Sequence, residues 1–401
     1  MIVFLTWLFL LLIFYSYLGY GLLLGGLVQA KRQRVGRPQP PVPETWPAVT
    51  LLVAAYNEAG CIAAKIDNSL ALRYPGELRL LFVTDGSDDN TPERIRQHAE
   101  ITLLHQPERR GKIAAIHRAM QQVETPIVVF SDANTLLNHE AVANLVRHFA
   151  DPAVGVVAGE KRVHSAAADS ASAAGESLYW RYESQLKAWD SEWHSTVGAA
   201  GELFAIRRDL YQPVAPDAII EDFVMTMGIA ARGYRIAYEP TAYAQETASL
   251  SVAEEMKRKV RIAAGAFQAM SWLRGQLSWR RQPRLWFQYV SHRVLRWTLA
   301  PLGLLWLLGA LPLLAWQLGG LWTGLALGQA FGYLLALAGW ALEQQQLRVK
   351  AFFVPYYFVM MNWSVLRGWG RYRRGQQAVT WERAARRSEV NPPPQAPTEA
   401  G

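Results

Sequence analysis

Two long stretches without a single charged residue decide what this chain can become. Residues 1–30 and 298–342 contain no Asp, Glu, Lys or Arg. At about 1.5 Å of rise per residue, each is longer as a helix than the roughly 30 Å hydrocarbon core of a bilayer. The 401 residues are 51% apolar and only 18% charged, which excludes a largely disordered chain. The first block exceeds the length of a signal-peptide apolar region and lacks both a basic leader and a small-residue cleavage site, so it reads as an uncleaved anchor, residues 1–30. The second, residues 298–342, is long enough for two crossings with a hairpin at Gly319 and Gly320.

Charge sets the orientation. Lys and Arg total 41 against 33 Asp and Glu, a net +8, and the basic residues gather beside the apolar blocks. Lys31, Arg32, Arg34 and Arg37 follow the first block, and Arg367, Arg371, Arg373 and Arg374 lie beyond the second. Membrane lipid accounts for that placement better than nucleic acid, and nucleic acid is not an expected partner. The positive-inside rule then predicts a multi-pass protein of the inner membrane with its main domain in the cytoplasm. The single cysteine, Cys61, excludes an intrachain disulfide and zinc sites built on cysteine pairs, and suits a reducing compartment.

The expected organisation follows. Residues 31–47 form a basic linker with prolines at 38, 40, 41, 43 and 47, stiff enough to act as a spacer. Residues 48–283 form one domain. Residues 284–297 (RLWFQYVSHRVLRW) place polar side chains at 284, 288, 291, 292 and 296, as in an amphipathic helix lying in the membrane interface or packed on the domain. Residues 351–366 are short for a span and contain Pro355 and Asn362, which favours a re-entrant or interfacial segment over a third C-terminal crossing. In the tail, 367–401, residues 367–387 hold seven Arg and one Glu; a Pro-rich stretch expected to be disordered follows.

Within the domain, apolar runs at 49–55, 78–84 and 127–131 alternate with helical patterns at 63–72, 92–98 and 112–122. That rhythm predicts an α/β fold, a mostly parallel sheet with helices on both faces. Ligands of such sheets bind at the carboxyl ends of the strands, where the acidic motifs fall. The first strand ends in Ala55-Tyr56-Asn57-Glu58 and the second in Thr84-Asp85-Gly86-Ser87-Asp88-Asp89-Asn90-Thr91, which suits close approach to a base or ribose and equally an Asx turn and helix cap. Arg109-Arg110-Gly111-Lys112 departs from a P-loop; its cations either neutralise a diphosphate or form a solvated face. Asp132 and Asn134 are hard oxygen donors two residues apart, suited to Mg2+ or Mn2+. Glu221 and Asp222 open a helix that Gly233 closes; either is a general base or an acid favoured by the helix dipole. Residues 254–262 (EEMKRKVRI) concentrate charge suited to diphosphate or lipid headgroups.

Taken in order, AYNE, VTDGSDDNT, RRGK, FSDANT, GAAGELFAIRR, IIED and KRKVRI resemble the motifs of the membrane-bound family 2 glycosyltransferases, which include cellulose, chitin, hyaluronan and poly-N-acetylglucosamine synthases. The likeness covers about residues 48–300. It implies a GT-A fold, a nucleotide-sugar donor, most often a UDP-sugar, and a divalent metal. It places Asp85 at the uridine with Asn57 and Glu58 beside it, and Lys112 near the nucleotide or diphosphate. Asp132 takes the first acidic position of the family's D-x-D and supports the metal, with Asn134 in place of the second Asp. Gly198–Gly201 and Glu202 fall in the acceptor-lining segment, and Asp222 matches the catalytic base. Arg258 and Arg261 stand where processive relatives have a Gln-rich motif ending in Arg-Trp; the arginine is kept and the Gln and Trp are not.

The expected activity is inverting transfer of a sugar to a polysaccharide or lipid-linked acceptor, with a partner subunit for export left open. The alternatives are single addition to a polyprenyl phosphate or glycolipid, and a non-catalytic membrane scaffold. A transporter has little support, because neither apolar block contains an acidic or basic side chain.

Overall fold

The computed structural model describes residues 1–37, 43–164, 171–247, 252–345, 347 and 349–375. Prolines 38, 40 and 41 of the linker and the tail from residue 376 onward, including its expected disorder, lie outside the described residues.

Eight strands build one sheet: β1 Val49–Ala55, β2 Leu78–Asp85, β3 Ile101–Gln106, β4 Ile127–Asp132, β5 Thr135–Leu137, β6 Val154–His164, β7 Leu203–Arg207 and β8 Arg235–Thr247. Their order is β3-β2-β1-β4-β7-β6-β8-β5. The first four are parallel, as the alternation of strands and helices predicts. β7 then runs antiparallel to both β4 and β6, and β5 antiparallel to β8, so the far half of the sheet is mixed.

The uninterrupted apolar run of β1 is buried on both faces, as a central parallel strand requires. Val49, Leu51, Val53 and Ala55 join one core with Ile62, Ile66 and Leu145, whereas Leu52 joins the other with Ile113, Ile116 and Ala119. β3 is absent from the sequence reading because it is an edge strand with half-buried polar residues, and its run ITLLHQ lacks the dense apolar signature of its neighbours. Ala54 aligns with Asp132, and Ala55 with Thr84, so the acidic ends of β2 and β4 flank the end of β1.

Three helices are long and apolar enough to cross a membrane: Ile2–Val35, Leu299–Leu318 and Leu321–Gln344. Gly319 and Gly320, with φ of 60° and 54°, form the turn between the last two. The first is interrupted by a π turn, Tyr15–Gly19. A second π turn, Val290–Val294, lies against it, and Tyr15 and Ser291 bond through their hydroxyls at 2.8 Å.

Residues 284–297 are not one regular helix: the segment comprises helix Pro283–Tyr289, the π turn and helix Leu295–Trp297, and of its polar side chains Arg284 is exposed whereas Gln288, Ser291 and His292 are buried in protein. Gln288 and His292 are 0% exposed. Helix Ala171–Trp193 supplies their partners. Asp190 accepts from Tyr20 and from Gln288, and its other oxygen lies 2.6 Å from His292 Nδ1. Glu183 meets His292, Arg293 and Arg296 at 3.2, 2.8 and 3.2 Å. Polar side chains that would suit the membrane interface are consumed by a buried ionic cluster tying the anchor to the domain.

Residues 351–366 lie within one continuous helix, Lys350–Arg373, which runs through Pro355 and packs closely on both sides. A Cβ on Gly339 would come within 2.3 Å of Phe352 O, and one on Gly368 within 2.5 Å of Ala263 Cβ, so both faces of the helix are held at backbone distance.

Because Asp190 serves Tyr20, Gln288 and His292 together, Asp190→Ala strands three buried polar groups. We expect a loss of about 3 kcal/mol, read as a lowered unfolding midpoint of the full chain in detergent. An unchanged midpoint would mean that the cluster does not hold the anchor to the domain.

Candidate active site

The cleft opens where β1, β2 and β4 end. Asp85, at the end of β2, is buried, and its Oδ2 accepts the backbone N–H groups of Arg110 and Gly111 at 2.8 and 2.6 Å. Its Oδ1 faces Arg118 Nη1 at 3.6 Å, a charge contact longer than a hydrogen bond. Arg118 is itself wedged under the strand ends by a 2.9 Å bond to Thr84 O. Asp85 therefore fastens the loop that begins helix Lys112–Met120. Gly86 permits this closure: its φ is 68°, and a Cβ there would stand 2.4 Å from Arg109 Cβ. Arg109 in turn lies 4.0 Å over the Tyr56 ring.

Asn57 adopts the left-handed conformation, φ 52°, and exchanges hydrogen bonds with Asp88 in both directions, 2.6 and 3.0 Å. The backbone N–H groups of Glu58 and Ala59 donate to Thr91 Oγ1 and Asp89 Oδ2 at 2.9 and 3.0 Å. Asp89 Oδ1 also accepts the Thr91 N–H at 2.9 Å, the Asx turn that the sequence left open, and Asp88 and Asp89 together fix the Asn57–Glu58 loop beside Asp85.

Lys112 joins the distant motifs. Its Nζ lies 2.8 Å from Asp132 Oδ1 and 2.9 Å from Glu221 Oε1. Burial opposes the charge on Lys112, but Asp132 and Glu221 outweigh it and hold its pKa above the usual lysine value. Asp132 itself is raised, chiefly by burial, with Lys112 opposing. Asp222 follows Glu221 in the first turn of helix Glu221–Ala231. Its pKa is pushed up to about 7, first by burial and then by the Glu221 charge, against the pull of Lys112. A Cβ on Gly201 would lie 3.2 Å from Asp222 Oδ2 and 3.6 Å from Lys112 Nζ, so the glycine keeps this wall open.

A second charged node stands beside the first. Lys161 bonds both Glu202 and Glu246, and Asn134 Nδ2 donates to Glu246 Oε1 at 3.2 Å. Burial would raise Glu202, but Lys161 and then Arg258 hold it well below the ordinary carboxylate range. Arg258 reaches Glu246 at 3.6 Å and Glu255 at 3.2 Å. Arg261, three residues further along helix Val252–Leu273, is lowered by burial while Glu221 and Asp222 oppose the shift by charge.

The structure thus gathers Lys112, Asp132, Glu221, Asp222 and Arg261 around one cleft, with Asn134 and Arg258 on the adjoining node. Asp85 stands at the end of β2, two strands over from Asp132 and about 10 Å away by the spacing of adjacent strands, with the Asn57–Glu58 loop at the end of the intervening β1. Sequence reasoning missed Arg118, Lys161, Glu246 and Lys65. Lys65 is wholly buried, donates to Ser131 Oγ at 2.7 Å and Thr135 O at 2.8 Å, and so pins the turn that carries Asp132 and Asn134. Burial brings its pKa down to about 7. Its helical position, four residues before Ser69, gave no hint of a strand-end role. Among the described residues, no group of three or more His, Cys, Asp or Glu side chains is placed to hold a metal ion.

Gly86→Ala must push the Arg109 backbone away. We expect a loss of about 2 kcal/mol in unfolding stability, while Gly370→Ala, with nothing within 4 Å of its added Cβ, stays neutral. An unchanged unfolding midpoint in Gly86→Ala would mean that the close approach of Arg109 does not constrain this loop.

Comparison with known proteins bears on the whole arrangement. Among solved structures, the chain resembles a mannosyltransferase from Pyrobaculum calidifontis, determined in complex with GDP-Man and Mn2+, with a TM-score of 0.70, 24% identity and coverage of 93% of this chain and 99% of that one. At that identity the likeness concerns the GT-A fold. Poly-beta-1,6-N-acetyl-D-glucosamine synthase of Staphylococcus aureus (strain MSSA476) is 27% identical over 233 residues, 55% of each chain. The Staphylococcus epidermidis enzyme of the same name is 25% identical over the same extent. The chain spans about half the length of these curated relatives. The family described as glycosyltransferase like family 2 matches residues 47–265, more than half of the chain and every residue of the cleft, and the protein belongs to that family.

Proposed function

We propose that this glycosyltransferase moves a sugar from a nucleotide-sugar, a UDP-sugar, to a glycan or lipid-linked acceptor at the cytoplasmic face of the inner membrane, with Asp222 as general base. The observation that carries this reading is the division of labour between adjacent carboxylates. Glu221 is engaged by Lys112 at 2.9 Å, whereas Asp222, beside open Gly201, has its pKa raised to about 7. A base of that strength is ionised near neutrality yet able to take a proton. Asp222 removes the acceptor hydroxyl proton as that oxygen attacks the anomeric carbon, and the bond to the diphosphate breaks on the opposite side. One displacement inverts the centre and releases the nucleoside diphosphate.

Lys112, Arg258 and Arg261 offset the charge that develops on the leaving group. Asp85, Asn57 and Glu58 organise the nucleoside side, with Asp85 Oδ1, which has no hydrogen-bond donor among the described residues, as the acceptor for a base N–H. The residues present fit a divalent ion, Mg2+ or Mn2+. Asp132 is a hard oxygen donor, Asn134 uses its amide nitrogen toward Glu246 and keeps a carbonyl oxygen, and the Lys112 ammonium marks where Asp132 and Glu221 demand positive charge. Held by Asp132 and Asn134, such an ion would supply Lewis-acid stabilisation of the leaving group.

The basic residues Lys31 to Arg37 at the end of the first candidate span, and Arg367 to Arg374 on the helix that follows the last, support a cytoplasmic position for the domain. The shared family with poly-N-acetylglucosamine synthases supports polymer formation, with a further subunit for export. The altered motif at Arg258–Arg261 and only three candidate spans among the described residues favour single addition as the second reading. Incubating purified protein in lipid with radiolabelled UDP- and GDP-sugars separates the readings, since one yields a polymer ladder and the other a single extracted glycolipid. No turnover with any donor would favour a scaffold.

Asp222→Asn is expected to lower donor turnover about a thousandfold with UDP affinity changed by no more than a few fold; undiminished turnover removes Asp222 as the base. In the wild type, kcat/KM should fall tenfold per pH unit below an apparent pKa near 7, because Asp222 is protonated there, and a profile flat from pH 5 to 8 would contradict the assignment. Chelation by EDTA should abolish nucleotide release, with recovery on adding Mg2+ or Mn2+; full activity in EDTA overturns the metal reading.

A further inference from the structure

Outside the cleft, one cavity of about 560 Å3 is lined by Val260, Trp363, Leu366, Gly370 and three arginines, Arg367, Arg371 and Arg374. It lies between helix Val252–Leu273 and the C-terminal half of helix Lys350–Arg373. Three guanidinium groups around one cavity raise its positive potential and favour an anion, and arginine is the side chain best shaped to grip phosphate oxygens. Trp363 and Trp369 are 52% and 43% exposed, as aromatic side chains are at the level of lipid headgroups. The same helix packs its N-terminal half against the membrane helix Leu321–Gln344 at Gly339, and its C-terminal half against the catalytic domain at Gly368. The cavity is therefore held open where the domain meets the bilayer surface.

We propose that this cavity binds the phosphate group of a membrane lipid, with Arg367, Arg371 and Arg374 around the phosphate and Trp363, Leu366 and Val260 against the adjoining apolar chain. Val260, in the cavity wall, precedes Arg261 on the same helix. The phosphate can belong to a bulk anionic phospholipid or to a phosphorylated lipid acceptor.

The test uses the full chain in phosphatidylcholine nanodiscs, alone or containing phosphatidylglycerol or a polyprenyl phosphate, with retained lipid counted by native mass spectrometry. Wild type should retain the phosphate-bearing lipid over phosphatidylcholine, and the double variant Arg367→Gln, Arg374→Gln should weaken retention at least about tenfold. UDP binding at wild-type affinity certifies that the variant is folded. Preference for the polyprenyl phosphate assigns the acceptor, equal retention of both anionic lipids assigns any membrane phosphate, and displacement by inorganic phosphate assigns recognition to the headgroup alone. Retention by the unaltered chain should also fall as salt is raised. Equal retention of phosphatidylcholine, undiminished retention in the variant, or indifference to salt overturns the proposal. Retention is read without turnover, so its failure is distinct from failure of the transfer reaction.

Discussion

The Lys112 ammonium is the tie on which the cleft depends. It reaches Asp132 at the end of β4 and Glu221 at the start of a helix about ninety residues later in the chain. Two carboxylates drawn this close out of bulk water would repel each other and lose several kcal/mol of hydration each unless paired. Lys112 removes most of that cost for both. Asp222, the next residue, is left with burial and the Glu221 charge as the dominant influences, and its pKa rises accordingly. The cation that allows an acidic cluster to exist therefore also determines which acid remains basic.

The same physics recurs at two other places. Lys161 bridges Glu202 and Glu246, and Glu246 accepts from Asn134, so Glu202 and the turn carrying Asn134 share one charge network. At the membrane junction, Glu183 and Asp190 sit among His292, Arg293, Arg296 and Tyr20, and there the cluster fixes how the anchor meets the domain. Both π turns fall at this junction. Tyr15 and Ser291, one in each widened turn, meet across the helices there. In each case buried charge gives little net stability but strongly penalises any arrangement that breaks the pairing, which makes it a device for orientation.

Glycines do the complementary work of bringing backbones close. Gly86 lets the Arg109 loop close on the end of β2, Gly201 keeps the wall beside Asp222 open, and Gly339 and Gly368 seat the C-terminal helix against both membrane and domain. Side-chain charge and absent side chains together shape the cleft and the basic cavity beside it.

Much of this was legible in the amino-acid order. Uncharged runs long enough to span a bilayer, the apolar bursts of β1, β2 and β4, and acidic residues at their ends all follow from local pattern, since burial on both faces demands unbroken apolar strands and hydrocarbon excludes charge. Motif order, from Asp85 to Asp132 to Asp222, was enough to indicate the family. Pairing was not legible. Gln288 and His292 had the spacing of one polar helix face, at the membrane interface or packed on the domain, and nothing in that spacing named Asp190, about a hundred residues away in sequence, as the group that meets both. Lys65 and Lys161 read as ordinary basic residues until strand and turn brought carbonyls and carboxylates to them. Periodicity reports what a segment needs from its surroundings, namely water, lipid or apolar packing. Which opposite charge arrives to satisfy a buried ion is decided by distances between segments remote in sequence, and those exist only once the chain has folded.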